Sequence, residues 1–338
     1  MSQNEKQDIS LPEIPKENAF NAIRLLLCFV VIFMHCFNRI GISNKYLLDG
    51  HMAVCGFFII SGFWVTKSYF SSKNIGEFIL KRIKKLLPMY YISVIGFSLL
   101  CFHFSDLTVK EYFGLEYWKY LFWNCIFLNF VHPSLPGCFS GDAVNGALWT
   151  IKIEIGFYIL LPIILFFWRE IKTLSRKNVF LISLYVLSIL YNILLTKFSK
   201  QLHLPSQLAH QLPGFISFFI SGMLIYFNWN TFLKLKNCLI VPAIGIYILH
   251  YVTNTEILFP IALAIILVFF AVQLKFLKCI GDSIDFSWGL YLTHFPLMQI
   301  MYSLGIANID AFVYVSSVAG IGFTLTFVTE KYIQKKIK

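Results

Sequence analysis

Ten stretches of mostly apolar residues pattern this chain, at 20–39, 52–70, 87–104, 146–168, 179–197, 213–228, 238–253, 257–274, 286–305 and 311–330. A helix needs about 20 such residues to cross the hydrocarbon core of a bilayer. Ten of them joined by short polar links predict an all-α, polytopic membrane helix bundle. An eleventh stretch, Trp118 to Val131, is shorter, carries Lys119, Asn124 and Asn129, and is followed by Pro133 and Pro136.

The placement of the basic residues decides how that eleventh stretch is read. If it does not cross and the N-terminus is cytoplasmic, nineteen Lys and Arg fall in cytoplasmic segments and six in outer ones. If it does cross, every later link flips. The Arg169–Lys177 cluster and the Lys331–Lys338 tail then face outward, against the cytoplasmic bias of such residues. The sequence therefore predicts ten transmembrane helices with both termini inside. Residues 118–131 become an interfacial or re-entrant segment on the outer side. Backbone of that kind is tolerated at membrane depth only under protein or beside a water cavity, so the segment is expected to roof a site. Residues 1–19 form a cytoplasmic N-terminal segment, 20–330 the membrane domain and 331–338 a basic tail. No internal repeat, long linker or second domain is visible.

Composition agrees. Of the 338 residues, 58% are hydrophobic and 13% charged, against about half and a quarter in soluble domains. The net charge of +11 would point to nucleic acid in a soluble protein. Here the Lys and Arg lie between apolar runs, the pattern of topology signals and contacts with anionic lipid. No nucleic-acid partner is expected. The eight cysteines are scattered without a close CxxC pair, so neither a disulfide framework nor a metal site is expected. Residues 1–19 lack the order of a cleaved signal peptide.

Polar groups within the apolar runs are the candidates for chemistry, because each costs free energy in lipid. Arg24 and His35 share the first run. Eleven residues bring them to within about 20° of one face and about 16 Å apart along the axis. Arg24 either snorkels to lipid phosphate or binds a ligand at the cytoplasmic end. His35, in the outer half, is suited to accept a proton near neutral pH. Glu154 sits about two turns inside the fourth run. Lys152, two residues away, cannot face it on a helix, so another helix must supply its partner. Trp149, Phe157 and Tyr158 surround it with aromatic rings. Ser61, between Gly56 and Gly62, lines a face that lets a helix or ligand approach closely. Lys81, Arg82, Lys84 and Lys85 cluster before Pro88, which is expected to start the third helix. Arg82 and Lys85 share a face that serves either as a topology signal or as a phosphate site. His294, two residues before Pro296, is either structural or a lining residue of the site.

Taken in order, Arg24-x10-His35, FFIISGFW, the basic cluster before Pro88, LWTIKIEIGFY and YLTH resemble acyltransferase family 3, the membrane O-acyltransferases of bacterial surface glycans. The resemblance spans roughly residues 18–332. It implies a bacterial inner-membrane enzyme that moves an acyl group, typically acetyl, from cytoplasmic acyl-CoA to a hydroxyl of a cell-surface or lipid-linked sugar. No permanently bound cofactor is implied, and acetyl-CoA is a substrate. In that frame Arg24, Arg82 and Lys85 hold the donor phosphates. His35 is the base or a transient acyl carrier, Glu154 its partner, and Ser61, Trp149, Tyr158 and His294 line the site. Lys85 departs from the family's R-x-x-R pattern, keeping the charge and losing the bidentate geometry. Two other classes fit an intramembrane Arg, His and Glu: a proton-coupled transporter and a lipid-linked glycan flippase. Against the first, no paired inverted repeat or matched pair of broken helices is found. Against the second, the basic charge lies at one membrane face.

Overall fold

The computed structural model describes residues 11–15, 17–42, 49–281 and 285–337, with side chains as far as residue 332 in the last helix. Lys6, Lys16, Lys45 and Lys338, four of the residues that weight the charge asymmetry, lie outside the described residues. Twelve α-helices and no strand occur among those described. They are α1 (Phe20–Arg39), α2 (Gly50–Phe70), α3 (Ile75–Leu100), α4 (Val109–Tyr112), α5 (Leu115–Cys125), α6 (Trp149–Glu170), α7 (Leu174–Phe198), α8 (Leu212–Phe227), α9 (Trp229–Thr253), α10 (Phe259–Gln273), α11 (Phe286–Ser303) and α12 (Ala311–Ile337).

Each of the ten apolar stretches lies on one of these helices. Among the described residues eight helical segments are long and apolar enough to cross a membrane: α1, α2, α3, α6, α7, α8 together with the turn before it (Ser206–Phe227), α9 and α12. The count of ten is not reached on length and composition. α10 has only 15 residues, and the 18 residues of α11 include Ser287, Thr293, His294 and Gln299. The stretch Trp118–Val131 forms most of α5 and the turns after it. The 11 residues of α5 rise about 16 Å, against a core of about 30 Å.

Pro88 does not start the third helix. α3 begins at Ile75 and carries Pro88 in its interior. Its start is set instead by Asn74, whose Oδ1 accepts from the Glu77 N–H at 2.8 Å, while the Glu77 carboxylate takes the Lys73 N–H at 2.7 Å. This reciprocal capping fixes a polar N-terminal extension. A proline removes only the bond to the preceding turn, so the basic cluster is helical.

The chain divides into two compact units, one of residues 1–23, 54–82 and 153–278, the other of 24–53, 83–152 and 279–338. In the first, α2 and α8 pack backbone to backbone. A Cβ at Gly62 would overlap the Phe219 carbonyl, and one at Gly222 the Ile59 carbonyl. Around this contact Phe58, Phe157, Phe215 and Phe219 form an aromatic core, with the Phe157 and Phe219 rings stacked at 4.4 Å. In the second, α11 is the hub. Its Leu292 carbonyl, bared because Pro296 lacks an N–H, accepts from Ser93 Oγ of α3 and Asn145 Nδ2, both at 2.8 Å. Phe323 of α12 stacks against Phe29 of α1 and Phe286 of α11.

Candidate active site

The second unit places α1 and α11 side by side, running in the same sense, and they meet at two polar points. At one, Asp285, just before α11, takes an ion pair from Lys85 Nζ at 3.1 Å and another from Arg24 Nη1 at 3.8 Å. Ser287 Oγ donates to Asp285 Oδ1 at 2.6 Å. Burial would raise the Asp285 carboxyl, but Lys85 and Arg24, with Ser287, outweigh it and hold it well below the usual carboxylate range. Glu330 of α12 lies close enough to interact electrostatically with both Asp285 and Lys85.

At the other point, the His35 ring lies 5.5 Å from that of His294 and 5.0 Å from that of Phe295, centroid to centroid. From Arg24 to His35 is eleven residues and from Asp285 to His294 nine, about 16 and 14 Å of rise. The two helices therefore keep step between these contacts.

His294 is 0% exposed. Its Nδ1 lies 2.7 Å from the Tyr291 carbonyl oxygen. A carbonyl accepts only, so Nδ1 carries the proton and Nε2 presents a bare lone pair. That Nε2 has no hydrogen-bond partner among the described residues. Buried polar atoms are nearly always paired, and the His35 ring is the imidazole beside it, 5.5 Å away centroid to centroid. Next to this pair, Thr150 Oγ1 meets the Tyr291 phenol at 3.0 Å. Gln299 Nε2 donates to the Ala143 carbonyl at 3.1 Å. Residues 143–150 thus lie along α11 beside His294. The stretch 118–131 is held against α3 instead, where Tyr90 donates to the Asn124 carbonyl at 2.7 Å.

In the first unit, Glu154 Oε1 accepts from Ser61 Oγ of α2 at 2.5 Å, and Ser61 is buried. Arg82 Nη2 donates to Ser68 Oγ at 2.9 Å. Its guanidinium lies 5.9 Å from the Tyr158 ring and 6.0 Å from Phe78. Ser61 and Ser68 are seven apart on α2, on one face, as are Glu154 and Tyr158, four apart on α6. Lys152, the last residue of the 83–152 stretch of the second unit, lies over the Phe130 ring of the same unit at 4.5 Å.

Of the two residues expected from sequence to share a reacting centre, His35 lies in the second unit and Glu154 in the first. Trp149 opens α6 immediately before Thr150. Sequence reasoning missed Asp285, Ser68 and the closeness of His294 to His35. Asp285 carries a readable signal, an acidic residue two before a serine at the start of an apolar run. The His35–His294 contact joins residues 259 apart and has no local signal. Among the described residues no cluster of three or more His, Cys, Asp or Glu is arranged to hold a metal.

The comparisons agree with the motifs. The acyltransferase domain family matches residues 17–331. Nodulation protein 10 of Rhizobium leguminosarum bv. viciae is 27% identical over 173 residues, 46% of this chain and 46% of that protein, so the match spans less than half of it. The O-acetyl transferase of Shigella phage Sf6 is 24% identical over 297 residues, 85% of this chain and 86% of that protein. No solved structure matches.

Proposed function

Because this multi-pass membrane chain belongs to the acyltransferase domain family, we propose that it moves an acetyl group from cytoplasmic acetyl-CoA to a hydroxyl of a cell-surface or lipid-linked glycan in a bacterial inner membrane, with both termini cytoplasmic. The observation that carries this reading is the pairing of α1 with α11. One end of the pair holds two cations on one carboxylate, and the other holds two imidazoles. The distance between them suits a donor whose phosphates lie at one end and whose thioester sits at the end of an extended pantetheine arm.

The chemistry follows from the tautomer. In the reacting state the bare His294 Nε2 would accept a hydrogen bond from the proton-bearing nitrogen of His35, which leaves the other His35 nitrogen with its lone pair free for the acceptor hydroxyl. As His35 takes that proton, the alkoxide attacks the thioester carbonyl and coenzyme A leaves as the thiolate. The proton on His35 then neutralises the thiolate. His294 acts as the orienting partner that a carboxylate supplies in a serine hydrolase. Arg24 and Lys85 bind donor phosphate, which takes the place of Asp285 on them as charge-assisted hydrogen bonds form. Arg82 contributes a further cation to donor binding. Glu154, hydrogen-bonded to Ser61, serves the acceptor hydroxyl. Loss of the chain should remove base-labile ester acetyl groups from the surface glycan, read by proton NMR of the purified polysaccharide. An unchanged acetyl content contradicts the proposal.

A further inference from the structure

Two of the eight cysteines, thirty-seven residues apart in sequence, are brought into contact in the second unit. Cys101 follows the last residue of α3 and opens a short 3-10 turn, and Cys138 lies in the segment that continues from it. The Cys138 thiol donates to the Cys101 carbonyl oxygen at 3.3 Å, and the two thiols are near enough to influence each other electrostatically. Both residues are buried, at 0% and 1% exposure. The approach is fixed by backbone. Gly137, with φ at +67°, leaves no room for a Cβ, which would overlap Ser105 Oγ and the Leu107 side chain. Ser105 Oγ in turn donates to the Pro136 carbonyl at 3.3 Å. Further along, Tyr112 donates to the Ser98 carbonyl at 2.6 Å, tying the intervening segment to the same end of α3.

Two thiols in contact on a segment outside the cytoplasm are the substrate of disulfide-forming exchange. We propose that Cys101 and Cys138 form a disulfide in the mature protein, closing residues 101–138 into a covalent loop on the outer face. This rests on the outward placement of residues 103–145 and is independent of acyl transfer. The step balances as thiol–disulfide exchange. One cysteine thiolate attacks the disulfide of an extracytoplasmic dithiol oxidant, and the second displaces the oxidant from the mixed disulfide. The S–S bond forms, and the two protons and two electrons leave on the oxidant as two thiols. Exchange precedes burial, while the segment is still reaching its place on α3. The bond then pins the start of the excursion next to Pro136 and Gly137, upstream of the 143–150 stretch that lies beside His294.

The test is adduct counting by intact mass. Membranes are quenched with N-ethylmaleimide in denaturant, and the same is done after reduction. The proposal expects six adducts without reductant and eight with it. Replacing both residues by serine should leave six under either condition. Cys138→Ser alone should expose Cys101, giving seven adducts in both. Eight adducts without reductant would overturn the disulfide. So would a Cys138→Ser protein in which Cys101 stays blocked, since it then has another partner. A compartment reporter fused after Ser140 separates the two causes of failure. Eight adducts with Ser140 outside refute the bond alone, and eight with Ser140 inside refute the outward placement as well.

Discussion

In the fully buried ring of His294 one nitrogen has no hydrogen-bond partner among the described residues. His294 donates from Nδ1 to the Tyr291 carbonyl, leaving the Nε2 lone pair bare, and the His35 ring lies 5.5 Å away, centroid to centroid. If that lone pair orients His35, an acceptor must stand there, and a merely space-filling side chain should not do. His294→Leu should lower kcat by 10-fold or more, within the ~100-fold range of general-base catalysis, with KM for acetyl-CoA unchanged. His294→Gln, which keeps an acceptor near the Nε2 position, should recover much of the loss. Equal activity in both variants would make His294 a packing residue. At the other end of α1, Arg24 is less exposed than Lys85, 16% against 43% by side chain. Arg24→Ala should therefore cost more donor affinity, about 1.5 kcal/mol or more for a charged hydrogen bond, which is a KM raised roughly 10-fold. Lys85→Ala should cost less, because solvent screens an exposed charge. Unchanged KM in both variants would leave these cations as topology and lipid residues.

At the scale of elements, much was legible in the sequence, and the gaps have physical causes. All ten apolar runs correspond to helices because long apolar stretches in lipid have no other way to satisfy their backbone. The start of α3 was misread because Pro88 is a strong local stop signal, while the capping by Asn74 and Glu77 acts a dozen residues earlier and is weaker to the eye. Arg24 and His35 were legible as one helical face. Asp285 and His294, which meet that face, were not, since only the packing of α11 beside α1 brings them there. The short α5 makes a direct prediction about topology. Compartment reporters fused after Ser140 and after Ser175 should report opposite sides, with Ser140 outside and Ser175 inside. A cytoplasmic Ser140 would require the second unit, in which α1 and α11 run in the same sense, to be inverted in the membrane, placing the His35 end of α1 on the wrong side for an external acceptor.

At the scale of the whole molecule, each unit carries a polar pair and a cation on neighbouring helices: His35 with His294 and Arg24 in one, Glu154 with Ser61 and Arg82 in the other. If the proposed reaction draws on both sets, they lose activity non-additively, as groups that work as a unit do. Adding Glu154→Gln to a His35 variant should therefore cost little more than the His35 change alone. Independent, multiplying losses would separate Glu154 from the chemistry. The most direct test of acetyl transfer uses membranes bearing the protein, incubated with radiolabelled acetyl-CoA, with the label followed into base-labile glycan esters. The parent should transfer label. His35→Gln, which keeps size and hydrogen bonding but cannot take the proton, should transfer roughly 100-fold less while still binding acetyl-CoA at equal membrane abundance. Near-parental transfer by His35→Gln would contradict the account.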